Sequence, residues 1–270
     1  MPAPSTDRPA VWRYVAGALV TLAALPLFAL SAPLIGWAML LAGVGVAFVA
    51  GRKVGLDLLP VAAGIGILTL LPAQPELGLA GMSRFTLVLA AALVIPWLIS
   101  RFGTRAGGVT FPFRDGRRWG REQWIFLAVV PLLGYVVLPA YFIDAEGHAN
   151  WPAVDGIGAI AMLTVGILGL GLWEELFFVG VVFSSLRPHV GAWRAIVLRA
   201  VVVVPLLWDW GFRGIGWVII LVFALVQGWI YERTKSLSYV IAVHLTFDLV
   251  MIAVLVWAKH PTWPDIFLTA

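Results

Sequence analysis

The sequence predicts an all-α membrane protein, a polytopic transmembrane helical bundle of about 8–9 spans with its N-terminus cytoplasmic. Three observations predict it. Of 270 residues, 61% are hydrophobic and 12% charged, against about 25% charged in soluble domains, and the mean hydropathy is +0.98. Apolar runs of about 17–25 residues, the length that carries a helix across a bilayer, recur along the whole chain. Runs such as residues 200–208 are uninterrupted and lack the alternation of an outer-membrane barrel, which favours helices. The absence of cysteine excludes disulfides, thiol nucleophiles and thiolate metal sites.

Residues 1–13 are polar and carry Arg8 and Arg13 before an apolar run at 14–31. Ala29-Leu30-Ser31 has the form of a cleavage site, but the run is long for a signal core and reads as an anchor. Further spans are expected at about 33–50, 55–72, 84–100, 123–143, 156–186, 194–212, 215–231 and 236–258. With the N-terminus inside, the loops at 52–53, 101–122, 187–194 and 233–235 collect most of the lysines and arginines. Only Arg84, Arg213 and Lys259 fall outside, together with Glu76, Asp144, Glu146 and Asp155. That asymmetry follows the positive-inside rule and fits an N-in, C-out chain.

The loop at 101–122 holds six arginines with Phe111 and Phe113 between them. It reads as a topology determinant, with an anionic-lipid or substrate-docking patch as the alternative, and is too short for a nucleic-acid module. Trp12, Trp124, Trp151, Trp193, Trp217, Trp257 and Trp263 stand near span ends, as interfacial belt residues do. His148, His189 and His260 are expected in solvated loops. One integral membrane domain is expected, comprising N-terminal spans at 1–153 and a core at 154–270.

Functional candidates are the ionisable residues inside the later spans, which are costly in hydrocarbon and therefore point to use. They are Glu174 with Glu175, Arg199, Asp209, and His244 with Asp248. At about 1.5 Å per helical residue, Glu174 lies ~18 Å from the inner end of its span, Asp209 ~22 Å, His244 ~12 Å and Asp248 ~18 Å. Three helices thus place ionisable groups in one layer. Adjacent helical residues diverge by about 100°, so one of the two glutamates faces a site while the other pairs with a neighbouring helix. His244 and Asp248, at i and i+4, share a face. A water between a glutamate and a histidine is a nucleophile for amide hydrolysis, and the same residues could coordinate a divalent metal. Arg199, a turn or more inside its span, either snorkels to the inner surface or forms a structural charge pair with Glu174 and Glu175.

Glu174-Glu175-Leu176-Phe177-Phe178-Val179-Gly180 resembles the Glu-Glu-x-x-x-Arg-Gly motif of the CPBP family of CAAX prenyl endopeptidases and bacteriocin-processing membrane proteins. Downstream, the turn at 228–237 followed by His244-x-x-x-Asp248 is similar to the family's His-x-x-x-Asn/Asp motif. The resemblance covers about residues 154–256. Two positions depart from the pattern: Val179 stands where the motif has arginine, and no histidine lies between His189 and His244 to supply the family's Phe-x-x-x-His. Leu207, Asp209 or Phe212 takes that place, depending on register.

The resemblance implies intramembrane proteolysis of a membrane-associated protein or peptide, in a bacterial inner membrane. Glu174 would be general base on water, His244 would share the proton or stabilise the oxyanion, and Asp248 would orient His244. Glu175 and Asp209 complete the candidate set. A catalytically inactive relative that binds a membrane partner is the alternative; a proton-coupled transporter needs the same buried acids, but no span reads as broken at its middle.

Overall fold

The computed structural model describes residues 10–72, 77–103, 108–113, 118–260, 262–264 and 266–267. Arg8, Glu76, Arg105, Arg114 and Arg117 of the expected charge pattern lie outside them. The described chain is helical throughout: α1 (Ala10–Leu22, extended by a π-helical turn at Leu25–Ala29), α2 (Pro33–Ala50), α3 (Arg52–Leu68), α4 (Leu79–Gly103), α5 (Arg121–Pro139, extended at Ala140–Asp144), α6 (Gly156–Glu175), α7 (Ser184–Val190), α8 (Ala192–Asp209), α9 (Gly216–Thr234) and α10 (Leu237–Ala258). Between α6 and α7 the helix continues in π form through Leu176–Phe183. Among the described residues, seven helical stretches are long and apolar enough to cross a membrane. The expected spans at 55–72 and 194–212 are helical as α3 and α8, but these two are not among the seven.

The helices form an integral bundle in which α10 packs on α5 and α6, α8 on α9, and α1, α2 and α3 on one another in sequence. Large aliphatic side chains at the lipid-facing positions, Leu34, Leu87 and Val165 among them, remain exposed. That is the expected surface for a chain whose solvent is hydrocarbon.

The loops sort to two ends. At one end, Arg187 forks onto Glu232 through Nε and Nη2 at 2.8 and 2.7 Å, and Lys235 reaches Glu232 at 2.6 Å. His189 Nε2 and Lys53 Nζ approach the same oxygen of buried Asp57 at 2.8 and 2.7 Å. At the other, Tyr141 donates to the carbonyl of Arg213, and Lys259 donates to the carbonyl of Trp151. Burial lowers the pKa of Lys259 from the usual lysine range. The basic segments assigned to one side and the segments with Arg213 and Lys259 assigned to the other thus gather as the sequence pattern requires.

The described part of the arginine-rich loop is a strap. Ser100 Oγ accepts the N–H groups of Gly108 and Val109, and Thr110 N–H bonds to Gly180 O at 3.0 Å. The carbonyls of Pro112 and Phe113 then accept the N–H groups of Leu237 and Ser238, at 3.0 and 3.1 Å, satisfying the open first turn of α10. Phe111 covers Gly180 so closely that a Cβ there would collide with the ring. The strap therefore ties the π-helical continuation of α6 to the start of α10.

Three expectations are corrected. His189 is in α7, with a side chain only 7% exposed, because Asp57 offers it a buried partner. His148 and His260 each bond a backbone carbonyl through Nδ1, so neither is simply solvated. Trp151 and Trp257 are buried, whereas Trp12, Trp124, Trp193, Trp217 and Trp263 are exposed as belt residues should be; the chain after 258 folds back, and the Trp257 indole N–H finds the Pro264 carbonyl.

Candidate active site

Local structure sets each side chain. The α9–α10 connection is one tight turn in which Lys235 takes a left-handed conformation, with φ of 51°, and Ser236 caps α10 by accepting the Tyr239 N–H. With the helix start pinned in this way, His244 and Asp248 project from successive turns of one face. On α6, the Trp173 indole N–H bonds to the Leu89 carbonyl of α4 at 2.7 Å. Directly after Glu175 the helix widens into the π form, a costly geometry that recurs at functional sites.

Glu174, Glu175, His244 and Asp248 converge, all four buried. His244 Nδ1 is 2.7 Å from Glu175 Oε1, while its Nε2 is 3.7 Å from both Glu174 Oε2 and Asp248 Oδ1. The two glutamates divide as their 100° separation demands. Glu174 lines a cavity of about 50 Å³ together with His244 and Asp248, a volume that accepts water. Glu175 lies behind the imidazole and takes, besides His244, Gln227 Nε2 at 3.3 Å and Arg199 Nη2 at 3.5 Å. An ionised carboxylate only accepts hydrogen bonds, so Nδ1 of His244 carries the proton that it donates to Glu175, and Nε2 faces the cavity. The edge of Phe223 packs against the ring, with centroids 4.9 Å apart.

Asp248 owes its position to a glycine. A Cβ on Gly171 of α6 would collide with Asp248 Oδ2, so only glycine lets the two helices bring the carboxylate to the glutamates. That same Oδ2 is buried without a hydrogen-bond partner among the described residues. Elsewhere on this helix, a Cβ on Gly166 would meet only the Met82 side chain and one on Gly169 nothing within 4 Å.

Asp209 does not join the other candidates. It ends α8 with its side chain 21% exposed, 3.5 Å from Arg213, and it does not line the cavity. Residues 207 and 212, the alternative places for the missing imidazole, do line it, as Leu207 and Phe212. Of the two readings of Arg199, the structure has the charge pair: the residue is 2% exposed, donates to Ala224 O at 2.8 Å and faces Glu175 at 3.5 Å. The snorkelling reading failed because the buried Glu175 carboxylate and the Ala224 carbonyl of α9 hold the guanidinium inside the bundle. Gln227 went unremarked in the sequence; its signal was a lone amide within the apolar run of α9.

Among the described residues no group of three histidine, aspartate or glutamate side chains is arranged to hold a metal ion. Nδ1 of His244 is committed to Glu175, and Nε2 stands 3.7 Å from both Glu174 Oε2 and Asp248 Oδ1. No metal enters the chemistry below.

Two apolar clefts flank the cavity. One of about 360 Å³ lies between α4 and α6 and shares Trp151, Ile167, Leu170 and Trp210 with it. The other, of about 290 Å³, lies among α5, α9 and α10 and shares Ile219, Phe223 and Phe247 with it. The arrangement can hold a water against a carboxylate and an imidazole beside an apolar approach from the bilayer. Neither a curated protein nor a solved structure matches the chain. Residues 156–250, which carry the glutamate pair, Arg199, Gln227 and the His-x-x-x-Asp face, match the model of the type II CAAX prenyl endopeptidase Rce1-like family.

Proposed function

We propose that the protein is an intramembrane endopeptidase of the CAAX type, hydrolysing a peptide bond in a membrane-associated protein or peptide of a bacterial inner membrane. The observation that carries this reading is the convergence of Glu174, His244 Nε2 and Asp248 on one buried cavity, with Glu175 behind the imidazole. The 3.7 Å separations exceed a hydrogen bond but let a single water touch both Glu174 and Nε2.

In the reaction, Glu174 takes a proton from that water as its oxygen bonds to the substrate carbonyl carbon, and the π electrons of the carbonyl move onto oxygen. His244 Nε2 shares the proton and, once protonated, faces the oxyanion. Collapse breaks the C–N bond, and the proton passes to the departing amine. An ionised Asp248 cannot donate to the oxyanion; its part is to orient and balance the imidazolium. Apolar substrate residues would occupy the cleft between α4 and α6, which opens on the cavity.

The test is cleavage of a membrane-anchored peptide by the full-length protein in liposomes. Cleavage by the wild type that is lost in both Glu174→Gln and His244→Ala supports the reading, and a folded wild type that cleaves no such peptide overturns it. One observation favours a second reading: Phe212, not an imidazole, faces the cavity from the α8 side. A partner-binding relative without activity would retain one copurifying membrane partner through both substitutions.

A further inference from the structure

The proposed chemistry requires His244 to present Nε2, and not Nδ1, to the cavity. Glu175 enforces this, yet Glu175 is itself a carboxylate 1% exposed. A buried carboxylate orients a partner only if its own charge and lone pairs are held. Two side chains of neighbouring helices hold it: Gln227 of α9 on Oε1 and Arg199 of α8 on Oε2. Among the described residues, Arg199 is the arginine that faces this carboxylate. The guanidinium is itself fixed on two further sides, by the Ala224 carbonyl of α9 and by the Phe178 ring 5.9 Å below its centre.

The residue one helical step from Glu175, at i+4, is Val179, buried at 1% exposure and unable to supply charge. We propose that Arg199 is a positioning residue of this site: from α8 it holds Glu175, and through Glu175 it sets which nitrogen of His244 faces the reacting centre. The chain Arg199 to Glu175 to His244 thus links α8, α6 and α10. It delivers across helices a cation that the Glu-Glu helix lacks at position 179. The inference rests on the endopeptidase reading for its catalytic consequence, but not for its structural one.

The experiment follows that division. Full-length wild type, R199M, R199K and the double variant V179R/R199M are reconstituted, and the peptide cleavage assay is run beside nitrogen-15 NMR of histidine-labelled protein. Only four histidines contribute signals. In R199M the kcat is expected to fall about 100-fold, as for an ångström of misplacement in a reacting group, with KM changed less than about 2-fold. The His244 resonances should move from a fixed Nδ1–H form to an averaged pair of tautomers. R199K keeps the charge without the planar fork and should recover part of both losses. V179R/R199M restores a cation at i+4 to Glu175 and should recover more than R199M alone.

R199M with wild-type kcat, or with an unchanged His244 spectrum, overturns the proposal. If R199M does not fold, the same two readouts on R199K decide it: lowered kcat with shifted His244 resonances supports it, and unchanged values overturn it. A wild type that shows no cleavage but whose His244 spectrum responds to R199M overturns the endopeptidase reading while leaving the positioning role intact.

Discussion

Glu174 and Glu175 are adjacent and chemically identical, yet they should respond to the same substitution in opposite ways. Glutamine removes the charge and keeps the shape. At Glu175 it strips the counter-charge from Arg199, which stays buried 3.5 Å away, and replaces the strong acceptor on His244 Nδ1. Removing one partner of a buried pair costs about 3–5 kcal/mol, and the long 3.5 Å contact places this case near the lower end, ~3 kcal/mol. At Glu174 no hydrogen bond to a described residue is lost, because its carboxylate faces the cavity, 3.7 Å from His244 Nε2. The stability cost there should stay below about 1 kcal/mol, while loss of a general base removes about 100- to 10,000-fold in rate.

The assay pairs cleavage of a membrane-anchored peptide in liposomes with thermal unfolding followed by tryptophan fluorescence, which the 14 tryptophans make strong. Glu175→Gln should melt several degrees lower than wild type; Glu174→Gln should melt with wild type and cleave nothing. Equal melting losses in the two variants would refute the assignment of cavity-facing and structural roles. So would retained cleavage in Glu174→Gln.

Gly171→Ala should cost about 1–3 kcal/mol by overpacking against Asp248 and lower cleavage with it; wild-type melting and turnover in that variant would show that α6 and α10 do not approach as described. Asp209→Asn removes only a partly exposed contact to Arg213, so melting should change by less than about 1 kcal/mol and cleavage should match wild type. A loss of cleavage in that variant would return Asp209 to the site.

Much of the fold is legible in the order of residues because hydrocarbon is an unforgiving solvent. An apolar stretch of span length has to be helical there, and the few charges inside such stretches stand out against it. Glu174, Glu175, His244 and Asp248 were visible for this reason, as were the two ends to which the charged loops gather. The π-helical stretch after Glu175 was not, since its sequence, Leu176-Phe177-Phe178-Val179-Gly180, reads as an ordinary apolar helix. The strap at 108–113 was equally hidden; its hydrogen bonds run through backbone groups, which every sequence possesses.

What the sequence by itself determined is the class of molecule and the list of groups that cannot be buried idly. Spacing along one helix also settled that His244 and Asp248 share a face and that the two glutamates cannot. Which glutamate faces the cavity, whether Asp209 belongs with them, and where Arg199 spends its charge were decided only by tertiary structure. Those questions turn on the rotation and approach of α6, α8, α9 and α10 about one another. Approach is set by contacts such as Gly171 against Asp248 and by bonds such as Arg199 to Ala224, between residues far apart in the chain. Hydropathy and periodicity carry the facing of a residue relative to its own helix axis. They carry nothing about which neighbouring helix it meets.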